Sequence, residues 1–487
     1  MAYEAVIGLE VHVQLLTATK MFCRCPNRPG AEPNTLVCPV CLGYPGTLPV
    51  ANRHAVDLAV QLATALSATV YPRSVFARKN YFYPDLPKGY QISQYDKPLA
   101  EDGRLPLSSH DKVVAIERLH LEEDAGKLLH EAPGGGPLFG RSLVDFNRCG
   151  TPLVEIVSRP EISSAAEAQD YLQTLHQLLL YTGTSDGNME AGNLRCDANV
   201  SVRKAGDPVL GTRAEVKNLN SFRNLGRAIE YEIERQIEIL ESGGRVVQET
   251  RSFDADKGTT RTLRSKEEAH DYRYFPEPDL PPLVVDAERR AALAAALPEL
   301  PWVRRARFAD QHGLSAADAA VLSGSRELGD YFEATVEALP VEIRGKGAKP
   351  VANWVMGEVL RELKERKAGP ESALAPARLA ALVAAIEQGK ISSSAAKEVF
   401  AAIWDTDEEP AAAIDRMGLG QVSDAGQIET WVREVIAEFP AQVAQLQGGK
   451  LQVLGFLVGQ VMKRSAGRAQ PPAVQKLMRG ELGIPEG

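Results

Sequence analysis

The sequence predicts an α+β fold: an N-terminal cradle of mainly antiparallel sheet backed by helices, then an all-α domain, then a small helical tail. Three observations carry this. Up to about residue 290, short alternating strands recur between turns and aromatic loops, whereas beyond it alanine, leucine and charged residues recur at helical spacing. The segment Pro276-Glu277-Pro278-Asp279-Leu280-Pro281-Pro282 separates the two regimes, because its prolines fix φ and remove backbone donors. A second interruption, Asp405-Thr406-Asp407-Glu408-Glu409-Pro410, breaks the helical pattern again. The expected domains are 1–290, 291–405 and 406–487, and 487 residues with 44% apolar content can fill several cores.

The first strand, Ile7 to Leu15, alternates strictly, so Leu9, Val11, Val13 and Leu15 face a core while Glu10, His12 and Gln14 share the other face. A second alternating run, Val113 to Lys127, places His120 and Glu122 on one face and ends in Glu122-Glu123-Asp124. Three adjacent carboxylates repel one another, which makes them either a solvated loop or ligands of a cation. The apolar strand leading into them holds them at a sheet end. In the next run Glu155 interrupts an otherwise apolar strand and needs a partner, either Arg148 or a metal.

The capping box Ser164 to Glu167 opens a helix to about Tyr181. After Glu190, the strand around Asp197 puts Asp197, Asn199, Ser201 and Arg203 on one face, and the next pairs Glu215 with Lys217. A helix with Ile229, Ile233, Ile237 and Leu240 on one face ends at Gly243-Gly244. Beyond the prolines, Ser315 to Asp318 is another capping box. Helical segments follow around Ala352–Lys367, Leu374–Glu387, Ser394–Ala402 and Gln427–Glu438. Ser392-Ser393-Ser394 suits a helix cap better than a nucleophile.

Five strands with acidic faces, converging, would form an oxygen-rich pocket for Mg²⁺ and nucleotide phosphates, with Lys217 or Arg195 countering charge. No G-x-x-x-x-G-K-[ST] or G-x-G-x-x-G loop occurs, and Gly134-Gly135-Gly136-Pro137 lacks the residues that must follow one. No nucleophile for hydrolysing glutamine is evident. The aromatic loops Lys79 to Tyr95 and Asp271 to Pro278, which include Tyr81, suit base stacking or sheet packing.

Cys23-Arg24-Cys25 and Cys38-Pro39-Val40-Cys41 bring four of the six cysteines into one segment, and four thiolates on one structural Zn²⁺ are expected. Cys149 and Cys196 read as small apolar packing residues. No run reaches the length of a membrane span, and the first residues lack a basic region and cleavage site, so a cytoplasmic protein is expected. With 55 basic and 64 acidic residues the net charge is −9, so any nucleic-acid contact must be local. Lys463, Arg464, Arg468, Lys476 and Arg479, with no acid between Val461 and Gly480, form such a local basic patch or a solvated helix face.

Taken in order, six stretches resemble the GatB/GatE family, whose bacterial members are the GatB component of aspartyl/glutamyl-tRNA amidotransferase. They are Ile7–His12, Arg78–Asp85, Leu119–Lys127, Asp145–Arg148 with Pro152–Glu155, Leu194–Asn199 and Asp271–Pro278. The resemblance implies a kinase and transamidase cradle, then a helical domain and a YqeY-like tail, both of which contact tRNA. It implies ATP- and Mg²⁺-dependent activation of the glutamate or aspartate carboxylate on tRNA(Gln) or tRNA(Asn). Ammonia would come from an amidase-fold GatA partner, with a small GatC subunit completing the complex. By motif position, Glu10, His12, Glu122 or Glu123, and Glu155 would be metal and phosphate ligands. Glu190, Asp197 and Glu215 would be further acids, Lys217 a catalytic-site cation, and Lys79, Tyr81 and Arg195 nucleotide or substrate contacts.

Overall fold

The computed structural model describes residues 2–129, 131, 136, 138–265, 271–421, 425–465 and 467–484, so Gly134, Gly135 and Pro137 of the glycine stretch lie outside the described residues. The chain divides into two compact units, Met1–Trp302 and Val303–Gly487. The expected α+β organisation is present.

The first unit opens with β1 (Tyr3–Gln14), α1 (Arg53–Ala65), β2 (Thr69–Val70), β3 (Arg73–Ser74), β4 (Phe76–Asn80), β5 (Tyr90–Gln94), β6 (Ala100–Pro106) and β7 (Val113–Glu123). It continues through β8 (Lys127–Leu129), β9 (Leu143–Asp145), β10 (Pro152–Ser158), α2 (Ala165–Thr182), β11 (Leu194–Lys204), β12 (Ala214–Lys217) and α3 (Phe222–Glu241). β13 (Glu249–Asp254), β14 (Thr259–Ser265), β15 (Phe275–Pro276), β16 (Leu283–Val284) and α4 (Ala287–Ala295) complete it. Nine strands form one sheet in the order β14-β13-β12-β11-β1-β10-β7-β6-β2. Every pairing is antiparallel except the parallel β12–β13 pair.

One face of this sheet makes the core. Leu9, Val11 and Val13 are fully buried and pack in one cluster with Ala59 and Leu62 of α1, Leu172 and Leu175 of α2, and Ile229 of α3. The helices are held by their caps. Asn52 accepts from the backbone of His54 and Ala55, and Ser164 accepts from Glu167, as its capping box predicts. Gly183, at φ 64°, ends α2 in the left-handed conformation that glycine adopts without cost.

α5 (Pro301–His312) contains the boundary between the units. The second unit is helical: α6 (Ala316–Leu322), α7 (Arg326–Glu337), α8 (Val341–Trp354), a π turn at Val355–Val359, α9 (Leu360–Arg366), α10 (Pro376–Glu387) and α11 (Ser393–Ile403), capped by Ser392. α12 (Pro410–Met417), α13 (Ala425–Glu438), α14 (Pro440–Gln447), α15 (Gln452–Arg464) and α16 (Pro471–Glu481) follow. α7–α12 close around Val351, Leu379, Val383 and Phe400, whereas α13–α16 bury Val432, Leu457, Val461 and Val474 in a separate cluster. Among the described residues no helix is long and apolar enough to cross a membrane.

The sequence places a helix start near Ala352, after Pro350. The helix instead begins at Val341 and runs through Pro350, and the π turn follows immediately. Proline removes one backbone donor, and a local change of helical pitch accommodates such a defect.

Because Leu9 is fully buried on a central strand, Leu9→Ala is expected to destabilise the protein by about 2–5 kcal/mol. The shift of the urea midpoint measures it.

Candidate active site

The five strands nominated by their acidic faces are contiguous in the sheet, β12-β11-β1-β10-β7. Register then decides which side chains meet. His12 lies opposite Glu155 of β10 and Arg195 of β11, and Glu155 lies opposite His120 of β7. Glu10 lies opposite Asp197, and Asn199 opposite Glu215. Because side chains alternate along a strand, all of these project from the face opposite the helices.

At the centre, His12 Nε2 is 3.4 Å from Glu155 Oε2 and 3.6 Å from Glu122 Oε1. His120 Nε2 is 3.2 Å from the same Glu155 oxygen and 3.9 Å from Glu122 Oε2. Glu122, Glu155 and His120 are buried. Burial opposes ionisation of Glu155, yet the charge of His120 and the hydrogen bonds from His12 and His120 hold its carboxyl well below the usual range. Burial likewise opposes a charged His12, but Glu155, Glu122 and Asp197 raise it to about 9. One ligand atom each from His12, Glu122 and Glu155 lies within 4.8 Å of the others, so the three could hold one cation. The two carboxylates fit a hard divalent ion such as Mg²⁺.

Beside this cluster, Asn199 Nδ2 donates to Glu10 Oε1 at 2.9 Å. Burial raises the Glu10 carboxyl, and the negative charges of Glu155, Glu215 and Asp197 raise it further. Lys217 Nζ bridges Asp197 at 2.5 Å and Glu215 at 2.8 Å. Burial works against that ammonium, but the two carboxylates keep it charged.

Lys79 on β4 reaches the same centre from another element. Its Nζ lies 4.9 Å from the Tyr272 ring and 6.0 Å from the Tyr81 ring. Burial would lower it, but Glu122 foremost, with Tyr274 and Glu155, raises it above the ordinary lysine range. Pairing of β15 with β4 joins the two aromatic motifs, and Asn80 N donates to Tyr272 O at 2.9 Å. Tyr95 and Tyr274 stack at 4.3 Å. Tyr95 remains exposed.

Not every candidate joins the centre. Glu123 points to the opposite side of β7, where it pairs with Lys88 and accepts from Ile92 N at 3.0 Å. Glu190 occupies an exposed turn before β11. Arg195 bonds Asp124 Oδ2 at 2.8 Å, and Gln14 donates to the same oxygen at 3.1 Å. Arg148 also turns to Asp124, at 3.6 Å, so the partners of Glu155 are the two histidines rather than Arg148. Asp124 and His120 stand in the motif, but a single sequence gives them no partners, since it does not show which strands become neighbours. In the tail, Arg464 pairs with Glu434 and Glu438, and Arg468 lies 6.0 Å from the Trp431 ring. Arg479 lies on α16 and is partly buried, while Lys463 and Lys476 are exposed and make no ion pair among the described residues.

The sulfurs of Cys23, Cys25, Cys38 and Cys41 all lie within 4.8 Å of one another. A tetrahedral zinc site sets sulfurs ~3.8 Å apart, so the cluster fits one with little adjustment. Cys38 N donates to Cys41 Sγ at 3.2 Å, and the Cys41 thiol is drawn below its usual range, chiefly by its hydrogen bond with Cys23. Cys149 and Cys196 are buried, as packing residues should be.

A family model described as the GatB/GatE catalytic domain matches residues 5–291, and a second, described as the GatB domain, matches residues 330–482. Curated proteins named as the B component of aspartyl/glutamyl-tRNA(Asn/Gln) amidotransferase are similar over nearly the whole chain. The Geotalea daltonii protein is 53% identical over 99% of this chain and 100% of its own length. The Geobacter sulfurreducens protein is 54% identical over the same shares. The Myxococcus xanthus protein is 52% identical over 99% of both. The chain belongs to the GatB/GatE family. The catalytic-domain match contains the whole carboxylate row and the four cysteines; the second match contains the basic residues of α15 and α16.

In metal-free protein, His12 is expected to titrate near 9, and Glu155→Gln to lower that midpoint by removing its hydrogen bond and charge. Since the folded value exceeds the unfolded 6.5, the stabilisation is complete below pH 6.5 and is lost as pH rises through about 9. An NMR titration of the imidazole checks it: an unshifted midpoint in the variant contradicts the assignment.

Proposed function

We propose that this chain is the tRNA-acting, ATP-using subunit of an amidotransferase that converts the side-chain carboxylate of Glu-tRNA(Gln) or Asp-tRNA(Asn) into the amide. The observation that carries this is the cluster of half-buried His12 with buried Glu122 and Glu155, facing the Lys79 ammonium, in a chain similar along its length to proteins named for that activity. In this reading the cradle is 1–290, the helical domain 291–405 and the tail 406–487.

The chemistry requires such a site. A carboxylate oxygen is a poor leaving group until it is phosphorylated, and phosphates approaching a carboxylate repel it. His12, Glu122 and Glu155, with Glu10 beside them, would hold Mg²⁺, which supplies charge neutralisation when bound. Lys79 presents a positive charge to the same centre, and Lys217 pairs with both Asp197 and Glu215 and screens them from each other. The tyrosines around Lys79, Tyr81 among them, offer flat faces for the adenine of ATP or of the tRNA terminus. Arg195, tied to Asp124, fixes the far edge of the row.

Glutamine is the amide donor in this reading. Its hydrolysis belongs to a GatA-type amidase partner, since no glutaminase nucleophile is evident here, and a GatC-type small subunit completes a cytoplasmic heterotrimer. The four cysteines hold one structural Zn²⁺. The tail meets the tRNA backbone, with Lys463 and Lys476 the cations most free to do so.

In the assembled enzyme, Glu155→Gln is expected to reduce amidation by roughly 10²-fold or more while tRNA binding persists. Full activity would leave this chain only an adaptor role. Lys463→Glu with Lys476→Glu is expected to weaken tRNA binding and to flatten its log–log salt dependence by about 1 for each phosphate no longer neutralised. An unchanged slope in a filter-binding titration would remove the tail from the interface.

A further inference from the structure

Lys20 is an ammonium buried almost completely, at 1% exposure. Its Nζ donates to Leu36 O at 2.7 Å, Phe146 O at 3.4 Å and Cys41 Sγ at 3.7 Å. Three N–H groups therefore meet three acceptors, which satisfies the hydrogen bonds but not the charge. Two acceptors are neutral carbonyls, and no carboxylate pairs with Lys20 among the described residues; the neighbouring Glu123 is committed to Lys88. A buried cation without a counter-ion is costly. Among the described residues, the one hydrogen-bond partner of Lys20 that can carry negative charge is the sulfur of Cys41.

We propose that Lys20 is the counter-charge of the four-cysteine metal centre and the clamp through which that centre holds residues 144–148 in place. This rests on the reading of the cysteines as a metal centre. Four thiolates on a divalent cation carry a net charge of −2, and the Lys20 ammonium offsets half of it while fixing the Cys41 sulfur. The same ammonium reaches Phe146 O, outside the cysteine segment. The stretch between the two cysteine pairs grips that loop reciprocally: Phe146 N donates to Asn34 Oδ1 at 2.8 Å, and Leu36 N donates to Asn147 Oδ1 at 2.8 Å. Next in the chain, Arg148 Nε donates to Ala125 O at 3.0 Å beside Asp124, the residue that anchors Arg195. The metal centre is thereby connected to the edge of the carboxylate row through hydrogen bonds between side chains and backbone.

The test uses the full chain. Lys20→Met is expected to lower zinc affinity 10–100-fold in a chelator competition and to shift the sulfur-to-cobalt charge-transfer band of the cobalt-loaded protein. Affinity within twofold of wild type, with an unmoved band, overturns the counter-charge role. In wild-type protein, stripping zinc is expected to raise amide hydrogen exchange across 144–148 while leaving β14 unchanged. Unaltered exchange at 144–148 overturns the clamp, and this measurement decides even where Lys20→Met fails to fold. A wild-type chain that takes up no zinc defeats the metal-centre reading and the inference together. A zinc-loaded wild type whose affinity and spectrum Lys20→Met leaves unchanged defeats the counter-charge alone.

Discussion

The position of β1 between β10 and β11 is the constraint from which the site follows. Leu9, Val11 and Val13 are fully shielded from water against α1 and α2, while Glu10, His12 and Gln14 occupy the alternate positions. A one-residue slip would exchange the two sets, placing a histidine and a carboxylate in the apolar cluster. The hydrophobic core therefore selects the register, and the register brings His12 opposite Glu155 and Glu10 opposite Asp197. No residue of the row needs an affinity for its neighbours to arrive there. The apolar half of each strand positions the polar half.

Once assembled, the row must tolerate its own charge. Buried carboxylates at a few ångströms repel strongly in a low-dielectric site. Each is accordingly matched: Glu155 by His12 and His120, Asp197 and Glu215 by Lys217, Asp124 by Arg195, and Glu122 by the field of Lys79. Glu10 is the exception, bonded to the neutral amide of Asn199, and burial with the neighbouring negative charges raises its carboxyl above the usual range. His12 carries a proton at neutral pH in this arrangement, so a cation that takes its nitrogen must release that proton.

Much of this was legible because period-two alternation is a local property. It identified the strands of Glu10, His120, Glu155, Asp197 and Glu215, and it placed Glu122 rather than Glu123 beside His120. What it could not supply was adjacency. Glu155 meets His12 across a sequence gap of more than a hundred residues, so the sequence offers it Arg148, near in the chain, or a metal, and neither histidine. The aromatic motifs are separated more widely still, and they meet only because β15 pairs with β4. In the second unit, Pro350 signals a helix boundary by its local chemistry, and tertiary packing of Val351 and Val355 carries the helix through it.

The segment between β1 and α1 poses the opposite problem. From Leu15 to Asn52 it contains no helix and no extended strand, only the isolated bridge of Thr19 with Pro26. A stretch of that length without regular structure is uncommon in a compact domain unless something ties it internally. Its buried apolar side chains are few, chiefly Leu15, Met21, Phe22 and Leu36, so a hydrophobic core of its own is not available. Four sulfurs gathered within 4.8 Å and one buried ammonium replace it. That substitution accounts for the gathering of four of the six cysteines in this segment. The sheet and the helices are ordered by burial, whereas the loop that grips residues 144–148 is tied by hydrogen bonds and, in the reading proposed above, by coordination.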